Sequence, residues 1–293
     1  MSAGYRIVKL ANGSYSVHSL AHGETFHPVV GPVTEAQALY VKQAQLRERL
    51  LCQSDPFVIW DVGLGAAANA LTVIEAAREI ACSIHLLSFD HTLAPLEFAL
   101  EHSQYLPYLS GYEPPLRTLP RERQVNFRVG NCSVSWQVHL ADFPALIKSS
   151  TASTLAKPHL VMFDAFSPAK NPAMWTLPLF TRLFHLLDPN RPCALPTYSR
   201  STILRVTLLL AGFFVGVGHA TGEKEETTFA SNSLEMVKQP LDHRWLQRAH
   251  RSGSAEPLTE PLYRQLKLSA LSWDLLQAHP QFNRSRQLSR HIA

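Results

Sequence analysis

Cysteine is scarce in this sequence, and what there is lies scattered. Cys52, Cys82, Cys132 and Cys193 are 30, 50 and 61 residues apart, so no C-x-x-C pair exists to hold zinc or run dithiol chemistry. Each reads as a small apolar filler. Long hydrophobic runs are absent too. The longest near-apolar stretch, Leu208 to Gly218, is eleven residues, well short of a bilayer span. Met1 to Lys9 lacks the apolar centre of a signal peptide, so the expectation is a cytoplasmic protein with no membrane partner. Glycine is low, 13 against 20 prolines in 293 residues, which excludes collagen-like and flexible-linker readings. The 14 histidines suggest no metal cluster. His27 is the one to watch, although a lone histidine is more often a satisfied loop residue.

What is present describes a soluble protein with a sizeable core, since 46% of the residues are hydrophobic and 17% charged. The net charge of +4 is unevenly placed. Residues 241–293 carry eight Lys/Arg against four Asp/Glu, and the remainder balances at nineteen of each. A second basic stretch, Arg117, Arg121, Arg123 and Arg128, is offset locally by Glu122 alone. Such patches suit a phosphate-bearing partner and are equally ordinary as solvated surface.

The pattern divides the chain into an extension over 1–51, a main domain over 52–240 and a basic C-terminal extension over 241–293. In the first, Tyr5 to Leu10 and Ser14 to His18 flank Asn12-Gly13, a two-residue hairpin signal. Val33 to Leu51 then reads as one helix opened by Thr34 and Glu35. From residue 56, apolar strands (57–62, 84–89, 159–163, 194–198, 213–217) alternate with helical segments (66–79, 92–102, 201–211). Near-continuous apolar strands with helical crossovers predict an α/β domain, a doubly wound parallel sheet covered on both faces. Val125 to Val129 and Ser133 to Leu140, around Gly130-Asn131, read as a hairpin-like excursion. The tail after Pro240 shows short helical pieces and no sheet pattern.

Open parallel sheets bind ligands beyond the carboxyl ends of their strands. Asp61, Asp90 and Asp164 stand at three such ends, and Asp142 follows the strand-like 136–140. One such carboxylate commonly caps the next helix; several converging on one crevice suggest a site. After Asp61 comes Val62-Gly63-Leu64-Gly65-Ala66-Ala67-Ala68-Asn69, a loop whose glycines let backbone approach a ligand and open a helix towards it. Ala68 stands where a dinucleotide loop wants a third glycine, which leaves a nicotinamide oxidoreductase a minor reading. Asp61 would repel a diphosphate and welcome a cationic sulfonium or amino group. Asp90 suits two ribose hydroxyls. The segment Asp164 to Trp175, with an aromatic and two prolines, predicts a stiff loop over the crevice, carrying a carboxylate towards an amine and an aromatic towards a base.

With Gly13-Ser14, Gly23-Glu24-Thr25-Phe26-His27, the Asp61 loop with Asn69 and the Asp164–Trp175 segment, the chain resembles the MnmC-like tRNA wobble-uridine methyltransferases over roughly residues 5–235. Gly222 to Thr227 is a weaker echo. The resemblance implies a class I methyltransferase fold (Rossmann-like), S-adenosyl-L-methionine as cofactor, and methylation of an aminomethyl group on the wobble uridine of tRNA. It also implies roles. Asp61, Gly63, Gly65 and Asn69 line the methionine end of the donor, Asp90 takes the ribose, and Asp142 beside Ala141 sits by the adenine. Asp164 faces the acceptor amine as the catalytic residue, and Phe166, Pro168, Lys170, Asn171 and Trp175 form the substrate loop. Ala67 departs from the glycine usual in the family, which predicts an altered or weaker donor loop. No flavin half follows in the sequence, so a separate enzyme is expected to supply the aminomethyl-uridine. Two other readings stay open: an aminopropyltransferase resembling spermidine synthase, and a catalytically silent tRNA-binding module.

Overall fold

The computed structural model describes residues 4–53, 55–221 and 225–283. The weak echo at Gly222 to Thr227 therefore falls partly outside the described residues, as do Arg284, Arg286 and Arg290 of the basic tail.

The chain opens with a three-stranded antiparallel sheet of β1 (Tyr5–Lys9), β2 (Tyr15–Ser19) and β3 (Glu24–Thr25). The connection between β1 and β2 is longer than the predicted two residues. Leu10 donates its amide to Ser14 O, and the Asn12 side chain accepts from the Ser14 amide and hydroxyl, closing the turn by side-chain bonding. The expected single helix over 33–51 is broken. It runs as α1 (Pro32–Ala36), a π-helical turn at Gln37–Gln43 and α2 (Leu46–Leu51), with Gln45 at φ 51 interrupting the last step. Wide π turns of this kind gather at functional sites.

The main sheet has eight strands: β4 (Phe57–Val62), β5 (Ser83–Asp90), β6 (Gln124–Val129), β7 (Cys132–Leu140), β8 (Leu160–Phe163), β9 (Ala194–Thr197), β10 (Phe214–Gly218) and β11 (Thr227–Ser231). Their order is β10-β11-β9-β8-β4-β5-β7-β6. The hairpin reading of β6 and β7 is half right. They do pair antiparallel, but β7 also runs parallel to β5 from Ser83↔Ser133 to Asp90↔Leu140, so it belongs to the sheet and only β6 is an added edge. Strand β11, absent from the sequence reading, inserts antiparallel between β9 and β10.

Helices cover both faces: α3 (Ala68–Ala76), α4 (Ala94–Glu101), α5 (Glu113–Glu122), α6 (Phe143–Lys148), α7 (Leu177–Leu186), α8 (Thr202–Leu210), α9 (His243–Arg251) and α10 (Ala270–Ala278). Alternate residues of each strand feed two cores. Ile59, Leu86 and Trp136 face Tyr40, Leu71 and Ile74; Trp60, Phe89 and Phe163 face Phe180, Leu183 and Phe213. The segment after Pro240 joins the second core through Trp245, Leu246, Leu276 and Phe282. The turn around Gln281 seals a sheet edge, because the Gln281 side chain accepts from Val215 N at 2.8 Å and donates to Val215 O and Leu241 O.

Candidate active site

A cavity of about 730 Å³ lies at the carboxyl ends of β4, β5 and β8 and is roofed by the N-terminal sheet. Two unlike walls enclose it.

The first wall is mostly backbone. Leaving β4, the chain places Gly63 at φ 95, Gly65 at φ 52 and Ala67 at φ 63, all left-handed. A side chain at Gly63 would meet the carbonyl of Asp164 at 2.7 Å, and one at Gly65 the Phe26 ring at 3.3 Å, so both glycines are required by close approach. Helix α3 therefore starts at Ala68, two residues later than the sequence suggested, with its open amides behind the loop. Asp90 ties this loop down, its carboxylate accepting from Gly65 N at 3.0 Å and Thr92 N at 3.2 Å while still lining the cavity. A carboxylate has further lone pairs for ribose hydroxyls. Asp142 caps α6 by accepting from Ala145 N and also lines the cavity, beside Ala141.

Asp61 is not on that wall. The strand register sets it level with Ser88 rather than Asp90, and it is fully buried. Its Oδ2 accepts from Ser88 Oγ at 2.8 Å, and Ser88 Oγ accepts in turn from Trp136 Nε1. Burial pushes its carboxyl up to about 7, against the pull of the Ser88 bond. Asp61 thus lies beneath the loop instead of touching the cavity. Asn69 does line it, and Asn69 Oδ1, like Asp61 Oδ1, is buried without a hydrogen-bond partner among the described residues. Two such oxygens under a glycine cradle fit the cationic methionine end of S-adenosylmethionine. With Asp90 for the ribose, the residues present suit that group.

The second wall is made of side chains from distant segments. Asp164, at the end of β8, accepts from Asn69 Nδ2 at 2.8 Å and lies 3.5 Å from His27 Nε2. The other ring nitrogen, His27 Nδ1, lies 3.5 Å from Glu35 Oε1. Ser167 donates through both N and Oγ to Glu24, fastening the Asp164 loop to β3. His22 stacks on Phe166 at 4.0 Å between ring centroids. Phe166, Lys170 and Asn171 line the cavity as expected. Pro168 and Trp175 do not. Trp175 is buried against Phe163 and Phe180 and donates to Phe166 O at 2.7 Å, so it braces the loop from behind. Tyr198 also supports the loop, donating to Ala165 O, but does so from the cavity side.

The sequence reading gave no role to Glu24, Glu35, His22 or Tyr198. In sequence Glu35 reads as a helix opener; its burial, the signal of a further role, is visible only in the structure. His27, Glu35 and Asp164 also bring three metal-ligand types within 4.8 Å. Each ring nitrogen of His27 faces a different carboxylate, however, which is the geometry of a bridge rather than of a chelate.

Comparison with known proteins agrees with this architecture. A family model described as S-adenosyl-L-methionine-dependent methyltransferase matches residues 112–233, from α5 to β11 and including Asp142 and Asp164. The bifunctional protein MnmC of tRNA 5-methylaminomethyl-2-thiouridine biosynthesis from Methylibium petroleiphilum is 28% identical over 80% of this chain and 36% of its own length. The chain spans about a third of the length of the curated relatives it matches. Among solved structures, MNMC2 from Aquifex aeolicus superposes with a TM-score of 0.68 at 23% identity, covering 94% of this chain and 84% of that one. Spermidine synthase from Thermotoga maritima gives 0.50 at 12% identity, covering 93% and 83%, and shares the fold.

Proposed function

We infer that this chain is an MnmC-like, S-adenosyl-L-methionine-dependent methyltransferase, a reading supported by the family model over residues 112–233 and by its similarity to MnmC proteins. It methylates the nitrogen of an aminomethyl group on the wobble uridine of tRNA. The observation that carries this reading is Asp164, a carboxylate at a strand end, with Asn69 of the donor wall on one side and His27 of the opposite wall on the other.

S-adenosylmethionine, when bound, supplies a methyl group made electrophilic by its sulfonium. The residues of this chain do the rest. Asn69, Gly63, Gly65 and Asp90 hold the donor, with the buried Asp61 carboxyl below the loop, and Asp142 stands by the adenine. Fixing donor and acceptor in one orientation is the main catalytic task. A primary alkylamine is largely protonated at neutral pH, so Asp164 attracts the ammonium and accepts the proton it must lose. Phe166, already stacked on His22, gives a flat base a partner, and Lys170 and Asn171 flank it.

Exposed arginines suit the tRNA backbone. Arg117, Arg121, Arg123 and Arg128 lie by the β6 edge of the sheet, and Arg244, Arg248 and Arg251 lie on α9, which follows the bridge to edge strand β10. Eight strands at about 4.8 Å put the two edges roughly 34 Å apart. A large polyanion can reach both, and its affinity then falls steeply with salt. An aminopropyl transfer to a polyamine is less well served, because Glu24 is engaged by Ser167 and Glu35 faces His27.

The test is transfer of labelled methyl from S-adenosylmethionine to tRNA carrying aminomethyl-uridine, beside tRNA lacking it. Label in the first sample alone is the expected result. No label with the donor bound means the acceptor is wrong; no label and no donor binding points to a silent tRNA-binding module. A separate enzyme providing the aminomethyl group belongs to the same proposal and predicts unmethylated aminomethyl-uridine in cells lacking this protein.

A further inference from the structure

Three ionisable side chains from three separate segments meet behind the acceptor end of the cavity. Asp164 comes from β8, His27 from the loop after β3 and Glu35 from α1. Their side chains are 15%, 8% and 7% exposed. His27 is held there at backbone cost, since it adopts φ 48, a left-handed conformation unusual for a side chain with a Cβ. Two carboxylates buried this deeply are tolerated only with compensating positive charge or shared protons. Between them lies the His27 ring, with Nε2 3.5 Å from Asp164 and Nδ1 3.5 Å from Glu35.

We propose that His27, neutral with Nδ1–H turned to Glu35 and the Nε2 lone pair turned to Asp164, receives through Asp164 the proton that the acceptor amine gives up. The inference rests on the amine-methylation reading above. The steps balance. An N–H bond of the acceptor ammonium breaks, its electron pair stays on nitrogen, and the proton forms an O–H bond on Asp164. That O–H bond then breaks, and an N–H bond forms at His27 Nε2. The imidazolium is neutralised by Glu35, Asp164 is a carboxylate again, and the proton leaves to solvent with the product. Asp164 touches the substrate; His27 and Glu35 act through it and are positioning residues. Titratable neighbours among the described residues include Tyr40 of the π-helical turn, Tyr198 after β9 and Glu24 of β3. Burial and these carboxylates hold both tyrosine hydroxyls well above their ordinary range, so they stay protonated and do not compete for the proton. Glu24 is already bonded to Ser167.

The experiment follows methyl transfer to aminomethyl-uridine tRNA from about pH 6 to about pH 9.5, with donor affinity measured separately. His27→Gln is expected to lower kcat about 100-fold at pH 7. The deficit should shrink to about 10-fold or less at the alkaline end, where the amine loses its proton to solvent unaided. Donor affinity should stay within about two-fold of wild type, since the His27 ring nitrogens face Glu35 and Asp164 rather than the glycine loop. Glu35→Gln should lose about 10-fold at pH 7 with the same pH-dependent recovery. A readout independent of turnover is the His27 ring nitrogen spectrum of the free protein. The imidazolium should persist to higher pH in wild type than in Glu35→Gln. A His27→Gln enzyme with wild-type kcat at pH 7, or with a deficit equal at every pH, overturns the proposal. Should that variant not fold, Glu35→Gln and the ring spectrum decide alone. Wild type that transfers no methyl to this tRNA at any pH overturns the function reading itself, and the relay with it.

Discussion

The two walls of the cavity are built in opposite ways. The donor wall is mostly contiguous chain: seven residues, Gly63 to Asn69, plus the carboxylates of Asp90 and Asp142, joined by bonds to backbone such as Gly65 N to Asp90. The acceptor wall is assembled from side chains far apart in sequence, as in the Glu24–Ser167 bonds and the His27–Asp164 pair. Backbone shape is specified locally and tolerates few residues at each position. Side-chain constellations depend on several elements docking correctly, and they carry the ionisable chemistry. The contrast predicts that damage to the first wall shows in folding and donor binding, whereas damage to the second shows in turnover.

The largest expected effect belongs to the acceptor wall. Asp164→Asn keeps the shape and removes the proton acceptor, so kcat should fall about 10²- to 10³-fold with donor affinity nearly intact. Full turnover in that variant would falsify the division between the walls. Next comes Gly63→Ala, whose Cβ must occupy space 2.7 Å from the Asp164 carbonyl at a φ of 95. It should cost roughly 3 kcal/mol in denaturant unfolding and weaken donor binding. If the protein is as stable as wild type, the loop is more pliant than the geometry indicates.

A third prediction concerns pH. Asp61 has its carboxyl raised by burial from 3.8 to about 7, so between those values the folded state holds a proton that the unfolded state has released. Stability therefore falls as pH rises through that window, by up to about 1.4 kcal/mol per pH unit from this one group. Asp61→Asn keeps a neutral acceptor for Ser88 and should flatten that slope. An unchanged slope in pH-dependent unfolding would assign the titration elsewhere. The smallest effect is Ala67→Gly, which relieves a left-handed alanine of about 1 kcal/mol while loosening the unfolded chain. A small rise in melting temperature with unchanged donor affinity is expected. A tenfold gain in affinity would mean that the Ala67 methyl does hamper the donor loop.

The sequence makes much of the donor wall readable. Glycines after an apolar strand and a carboxylate at the next strand end have few structural explanations, and Gly63, Gly65, Asn69 and Asp90 all line the cavity. Asp61 misleads for a definite reason. Apolar patterning does not give depth along the sheet: Asp61 pairs with Ser88, two residues short of Asp90 on the same face, and so lies one step below the strand ends, buried against Ser88. Trp175 misleads similarly, because its motif position says nothing about which side of the loop it packs against.

What the sequence determined by itself is the alternation of apolar strands and helices, the glycine loop and the strand-end carboxylates. These follow from local periodicity and backbone sterics, which neighbouring residues encode. Only the tertiary structure decided that β7 belongs to the sheet, that β11 inserts between β9 and β10, and that His27 sits between Glu35 and Asp164. Those outcomes depend on strand register and on the N-terminal sheet closing over the cavity. Both are settled by packing between segments not adjacent in sequence, the second between segments as far apart as Glu24 and Ser167, 143 residues.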